Sequence, residues 1–403
     1  MVAVSEKPLL DLESARRIVV AAATPPLGSE TLAVEAAAGR VLAEDVTAQG
    51  DVPGFANSAM DGYAVRAGPA GRELRVVDES QAGRPATAAV GDGEAIRIST
   101  GAAVPAGADS VVPVEHVQVG DGAVVLEGDA TPHANIRDAG EDLRAGTRAL
   151  SAGTVLGPAE LAIAVAAGRG AVPCARRPRL TVLATGDELV PPGADLGPGQ
   201  IHNSNAVALS ALATRTGGEV VRAEAVPDDR EATAAALADA LGEADVVAVS
   251  GGVSVGPHDH VKPALATLGV EERFWRVALK PGKPVWFGTR ERTLVFGLPG
   301  NPVSAVVCFL LFVRPALRAL QGAAPLSAPE VARLAEDVPR NPARLEAVRV
   351  ALATGDDGVA RARPTGAQGS HLLSSLLGAD ALALIPPGDA PLPAGSPVAC
   401  ERI

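Results

Sequence analysis

Acidic side chains that fall just behind strand-like runs are the residues of this chain best placed for chemistry. In an open parallel sheet, ligands bind past the carboxyl ends of the strands, where loops lead into helices. ATGDEL sets Asp187 and Glu188 directly after the run RLTVLAT. Paired acids there can hold a divalent cation or a ribose, or they can cap a helix and fill its first turn. AVPDDR puts Asp228 and Asp229 after the next run, where a cap for DREATAAALADAL explains the motif taken alone. SGGVSVGPHDH follows DVVAVS. In it, Gly251 and Gly252 let the backbone approach a ligand, and Ser254 with main-chain N–H groups can hold phosphate oxygens. Asp259, beside a bound phosphate, implies magnesium between the two. Zinc through His258 and His260 is the weaker expectation, because a third ligand is not evident. Imidazoles that merely flank an acid are the plainer account.

A second group of residues is cationic. LKPGKPVWFG holds Lys280 and Lys283 in a proline-stiffened turn. FGLPGNPVSA places Pro302 in the first turn of a helix, whose free N–H groups and dipole attract anions. With Ser304 they would make a compact oxyanion pocket; solvated lysines and a plain proline cap explain either loop alone. Upstream, SAMDGYAV, RISTGAAVPAGAD and NIRDAGEDLRAG offer Asp61, Thr100, Glu141 and Asp142, which in isolation are turn formers more often than catalysts.

The elements that must position these residues follow from periodicity. DLESARRIVVAAA and AAAGRVLAEDV read as helical, and GPAELAIAVAAG as a helix begun by Pro158. From GDVPGFANSAMDGYAV to about Gly146 short alternating runs are broken by Gly, Pro and Asp, with VEHVQVGDGAVVLEG a hairpin across Gly-Asp-Gly. From RPRLTVLATGDEL onward, Val-, Leu- and Ala-rich strands alternate with helices, which predicts a doubly wound, mostly parallel α/β domain. The tail returns to short strands. The fold expected is therefore multidomain α/β plus β: an N-terminal helical/linking domain (residues 1–47 and 147–177), a β-rich inserted domain (48–146), the α/β domain (178–326) and a small C-terminal β-barrel-like domain (327–403).

Composition narrows the function classes. At 403 residues the chain exceeds one compact core, and its 2% aromatic content predicts aliphatic cores. A net charge of −12 argues against general nucleic-acid binding, though not against a local cationic pocket. Cys174, Cys308 and Cys400 are unpaired in spacing and suit a reducing cytoplasm. The N-terminus has no signal-peptide core. VSAVVCFLLFV is too short to cross a bilayer and reads as a buried helix, so no membrane role is expected.

In register, PGFANSAMDGYAV, RISTGAAVPAGAD, NIRDAGEDLRAG, TGDELVPPG, QIHNSN, SGGVSVGPHDHVKPAL, KPGKP, GLPGNPVSA and GSHLLSSLLGADALALIP resemble one family over nearly the whole chain. It is the molybdopterin molybdenumtransferases, known as MoeA in bacteria and as the E domain of gephyrin in animals. The resemblance implies insertion of molybdenum from molybdate into the dithiolene of adenylylated molybdopterin, with Mg²⁺ or a similar divalent cation, and release of AMP. It implies a homodimer with its cleft between subunits, and an adenylyltransferase or receiving molybdoenzymes as further partners. Carried over by motif, Asp187, Glu188, Asp228 and Asp259 become the metal- and nucleotide-side acids, with Glu188, Asp228 and Asp259 the metal set. Gly251, Gly252 and Ser254 form the phosphate loop. Asp61, Thr100 and Asp142 are contributed by the β-rich domain. Lys280, Lys283, Pro299, Pro302 and Ser304 are similar to the molybdate side, joined by Arg349 in LEAVRV and Ser370 in GSHLLSS. The sequence departs from the family at GPHDH, where histidines flank the acid in place of an aromatic residue. The rival expectations are a molybdopterin adenylyltransferase, whose glycine loop runs Gly-Thr-Gly, and a gephyrin-like binding scaffold.

Overall fold

A computed structural model of the chain describes residues 9–253 and 259–403, so the expectations for Ser254 and His258 lie outside the described residues. The fold divides into two units: one holds residues up to Glu30, 39–43 and 174–403, the other 31–38 and 44–173.

The chain enters the first unit through helix α1 (Leu12–Ala22), capped by Asp11, whose carboxylate accepts the Ser14 N–H at 2.8 Å. The second helix expected nearby, over Ala36–Val46, does not form. A single 3₁₀ turn covers Val34–Ala36, and then Gly39 turns the backbone at φ 72°. Glycine takes that left-handed conformation without steric cost, and helices commonly stop there.

The second unit is built on a six-stranded sheet. Its strands are β1 (Gly62–Val65), β2 (Glu73–Ser80), β3 (Glu94–Ile98), β4 (Ser110–Pro113), β5 (Val117–Val119) and β6 (Ala123–Leu126), in the order β4-β1-β3-β2-β6-β5. Only β2 and β3 run parallel. Tyr63, Val65, Leu74, Val112, Val124 and Leu126 share its buried face. The β5–β6 hairpin turns through Gly122 at φ 71°, with Gly120 N–H donating to Ala123 O at 2.9 Å. Helix α2 (Pro158–Ala166) starts at proline, and Glu160 accepts the Gly157 N–H at 3.0 Å.

In the first unit a six-stranded sheet carries β7 (Arg179–Thr185), β8 (Glu219–Val226), β9 (Val246–Ser250), β10 (Glu271–Trp275), β11 (Trp286–Arg290) and β12 (Thr293–Leu298). The order is β8-β7-β9-β12-β11-β10; the first four are parallel, β11 pairs antiparallel with β12, and β10 antiparallel with β11. Side chains alternate between two cores, as a pleated strand requires. Leu180, Val182, Val246 and Ala248 face α1, α3 (Ser204–Arg215) and the long C-terminal helix. Leu183, Val247 and Val249 face α4 (Arg230–Glu243) and α5 (Val261–Thr267). Four of the six phenylalanines, Phe274, Phe287, Phe296 and Phe312, gather on the first side with successive ring centroids 4.8 to 6.2 Å apart.

The apolar run expected to be buried belongs to a longer helix, Pro302–Leu320. Its parts are α6 (Pro302–Cys308), a π-helical stretch and α7 (Arg314–Leu320). Its 19 residues meet the length and composition for a membrane span, but 89% of the most apolar window is buried inside the unit, the mark of a core helix.

The tail closes on itself. Strands β13 (Glu330–Leu334), β14 (Leu345–Thr354), β15 (Ala360–Pro364), β16 (Ala381–Ile385) and β17 (Pro397–Arg402) pair in the cycle β14-β15-β13-β17-β16-β14, a five-stranded barrel without free edges. The short segment Leu279–Lys280 lies parallel to Leu345 and Glu346, which ties the lysine turn to the barrel.

Candidate functional site

Three parallel strands end side by side, at Thr185, Ser250 and Leu298, and the loops that leave them enclose a pocket of about 670 Å³. Gly251 and Gly252 sit in its wall at φ 97° and 62°. A Cβ on Gly251 would stand 2.6 Å from Thr185 Oγ1, and one on Gly252 2.4 Å from Val261 Cγ2. Both glycines are thus required by local geometry, and the Gly251 N–H donates to Leu298 O at 3.0 Å.

What holds the loops together is a residue the sequence reading did not single out, although it stands in QIHNSN. Asn203 caps α3 through the Ala206 N–H, at 3.0 Å. Two residues on, Asn205 Nδ2 donates to both Ser250 Oγ and Gly300 O, each at 2.8 Å, and Ser250 Oγ donates to Pro299 O at 3.3 Å. One amide therefore ties the ends of β9 and β12 to the start of α3. An asparagine pair around a serine before a helix is the available signal; it announces the cap but not the second role.

The acids separate into groups. Glu188 lines the pocket. Asp187 and Asp228 are exposed, and Asp187 Oδ1 accepts the Asp228 N–H at 3.0 Å, joining two of the acid loops. The capping duty in AVPDDR falls to Asp229, which accepts the Glu231 and Ala232 N–H groups at 3.0 and 2.8 Å and leaves the Asp228 carboxylate free for other work.

Asp259 is different in kind. Both carboxylate oxygens are shielded from solvent, and neither takes a hydrogen bond of good geometry among the described residues. Burial pushes its carboxyl up, against the Lys262 ammonium, the first N–H groups of α5 at Lys262 and Val261, and His260. Lys262 is drawn aside: its Nζ stacks 3.7 Å from the centre of the Trp275 ring, where the Arg276 guanidinium also lies at 4.0 Å. An orphaned buried carboxylate fits a hard cation. Among the described residues no three Asp, Glu, His or Cys side chains converge on one point. One shielded carboxylate suits magnesium, which takes one or two carboxylates and fills its shell from phosphates and water; the zinc expectation involves His258, outside the described residues.

The cationic residues are less free than expected. The Lys280 ammonium is 3.0 Å from Glu346, a largely buried carboxylate of β14. Lys283 is half-buried and its neighbour Pro284 lines the pocket, while neither lysine does. Pro299, Asn301 and Pro302 also line it; Ser304 is buried in α6. The Val303 N–H, which a helix start would offer to an anion, donates to Ser370 O at 3.2 Å, and Asn301 Nδ2 donates to Ser370 Oγ at 3.1 Å. The barrel thus delivers Ser370 to the head of α6, with His371 in the pocket wall.

Arg349 explains how. Its side chain is wholly buried, and its guanidinium donates to Ser375 Oγ at 3.2 Å, Gly369 O at 3.4 Å and Ala367 O at 3.5 Å. Burial lowers its pKa. The loop carrying Ser370 is wrapped around this one cation.

In the second unit, Asp61 Oδ1 accepts both the Thr100 N–H at 2.6 Å and its hydroxyl at 2.9 Å. Those two bonds, backbone first, hold the Asp61 carboxyl below the usual range. Asp142 is exposed, its N–H donating to Val52 O at 3.0 Å, and Glu141 accepts the Asp138 N–H at 3.1 Å.

Family models match the chain in three stretches: the MoeA N-terminal region (domain I and II) over residues 10–168, a probable molybdopterin binding domain over 181–319, and the MoeA C-terminal region (domain IV) over 331–402. A molybdopterin molybdenumtransferase of Haemophilus influenzae is 37% identical over 374 residues, 92% of each chain. One of Bacillus subtilis is 35% identical over 372 residues, 89% of this chain and 86% of that protein. Among solved structures, the molybdopterin biosynthesis MoeA protein of Pyrococcus horikoshii OT3 superposes with a TM-score of 0.84 at 31% identity, covering 98% of this chain and all of its own.

Proposed function

The chain belongs to the MoeA family of molybdopterin molybdenumtransferases, and on that footing we propose that it inserts molybdenum from molybdate into the dithiolene of adenylylated molybdopterin, releasing AMP. Transfer of molybdenum to molybdopterin, within molybdenum cofactor biosynthesis, is the activity its curated relatives carry. The finer steps rest on one observation above all: the Asp259 carboxylate, shielded from solvent and without a hydrogen-bond partner among the described residues, follows the glycines that line the pocket.

In this reading the pocket takes the pyrophosphate end of the nucleotide. Among the described residues its lining holds one acid, Glu188, and no lysine or arginine; the Gly251 N–H is taken by Leu298 O at 3.0 Å, so neutral side-chain donors and the Gly252 N–H would meet the phosphates. Asp259, joined by at most one of Glu188 and Asp228, would hold a magnesium ion, which when bound polarises the phosphoanhydride. Asn205 fixes the two loops, so that the phosphate donors need not reorganise as charge develops. The lysine turn, Ser304 and the Ser370 loop around Arg349 form the molybdate side. Their part is to concentrate the oxyanion and position it near the dithiolene, which lowers the entropy cost of the encounter.

Asp61, Thr100 and Asp142 complete the site from the β-rich unit of a second copy. The protein works as a cytoplasmic homodimer and passes its product to molybdoenzymes.

Incubation with adenylylated molybdopterin, magnesium and molybdate, following AMP, tests the reading. Release of AMP that depends on Asp259 supports it. Consumption of ATP with unmodified molybdopterin would make the protein an adenylyltransferase, and neither reaction would leave a scaffold. Mixing Asp61→Ala and Asp259→Ala copies tests the shared site: activity recovered in the mixture, absent from each alone, is the expected outcome.

A further inference from the structure

Away from the loop pocket, where α7 meets the last barrel strand β17, the first unit holds a second cavity of about 180 Å³. Arg314, Arg318 and Arg402 line it, beside Leu310, Leu326 and Ser327. Its charges do not balance. Glu401 lies 2.7 Å from Arg16 and is shared at 3.6 Å with Arg314, while Glu330 is 2.9 Å from Arg402. Arg318 donates to Ser327 Oγ at 2.8 Å and meets no carboxylate among the described residues. Two carboxylates, Glu330 and Glu401, thus line the cavity with three guanidinium groups, and Glu401 is shared further with Arg16, which also has Glu13 at 3.4 Å, in a chain whose net charge is −12. Arg314 and Arg318 also stand four residues apart on one helix face, where like charges repel. The helix C-terminal dipole accounts for Arg318 in the last turn, but not for the other two arginines. Burial lowers the Arg314 pKa, and Arg318, Arg16 and Arg215 add to the effect against Glu401.

We propose that this cavity is a binding site for a phosphate-class oxyanion, held between the Arg314 and Arg318 guanidinium groups with the Ser327 hydroxyl as a further donor. Guanidinium forks match the oxygens of a tetrahedral anion in pairs, and their weak hydration suits a half-buried setting. The cavity has room for one tetrahedral group and few attached atoms. None of its lining residues belongs to the loop pocket, so the site stands whether or not the reaction proposed above is correct.

Titration of inorganic phosphate into the full chain at low ionic strength, followed by calorimetry, tests it. The expected result is saturable binding that Arg318→Gln weakens at least tenfold, with the melting curve and molybdenum transfer unchanged. Ser327→Ala, which removes only a hydroxyl, should weaken it severalfold and guards against misfolding of the arginine variant. Absence of saturable binding overturns the proposal. So does binding that survives both substitutions, or binding lost only in Lys283→Ala, which would move the anion to the lysine turn.

Discussion

The Lys280 ammonium lies 3.0 Å from the Glu346 carboxylate, so one of the two lysines assigned to the oxyanion already has a protein anion beside it. Molybdate must share that cation or displace the acid. Replacing Glu346 with Gln removes the competitor while keeping the shape of the side chain. Molybdate should then bind severalfold more tightly, which equilibrium dialysis can read. Weaker binding would mean that Glu346 orients the lysine and does not compete with the anion.

Asn205 serves two loops through one amide, with Ser250 Oγ and Gly300 O both at 2.8 Å. Asn205→Ala leaves those partners unsatisfied and should cost about 1–3 kcal/mol of stability. Turnover should fall by a larger factor than substrate affinity, because the loops lose alignment and not contacts. Urea unfolding and steady-state kinetics together check the pair of effects.

For Asp259 the sign of the linkage is unusual. Its carboxyl is raised by burial, so its contribution to stability is present below the unfolded aspartate value and is lost as pH rises through the higher folded value. At pH 7, without divalent ions, the ionised group destabilises the fold. Asp259→Asn should therefore melt a few degrees higher than the parent while AMP release collapses. A lower melting temperature at pH 7 would show that the carboxylate has a stabilising partner after all.

Asp61 behaves oppositely. Thr100 holds its carboxyl low, so the stabilisation is present above the ordinary aspartate value and is lost as pH falls through the lowered one. The stability gap between the parent and Asp61→Ala should be constant from pH 5 to 8 and close below about pH 4. Unfolding curves across that range decide it.

Division of labour between the two sides of the site gives one more expectation. Asp259→Ala should slow AMP release while molybdate binding survives, and Lys283→Ala should do the reverse. Equal loss of both properties in each variant would remove the distinction.

Runs such as Val246–Ser250, buried on every residue, and the alternation of strand and helix around them made the parallel sheet readable from sequence, because burial on both faces leaves no polar position to confuse the pattern. The barrel was legible as a class, though its closure through β14 and β16 depends on residues more than thirty positions apart. Local pattern misled at Gly39, where composition looked helical but one left-handed residue broke the chain. At the site, the acids and glycines stood out because each lies beside a strand end. Asn205 did not, since its partners are 45 and 95 residues away. For the same reason nothing near Pro302 hinted that the Val303 N–H was taken, or near Arg349 that a charged residue would be sealed inside.

The Ser370 carbonyl on the Val303 N–H makes the tail a plug for the α/β module. A fragment ending near Gln321 would keep every strand of the parallel sheet yet expose a raw helix start, and water or a stray anion would settle there. Excised modules of this kind should therefore report anion affinities foreign to the intact chain, and any transplant of the barrel between relatives must carry its 365–375 loop along.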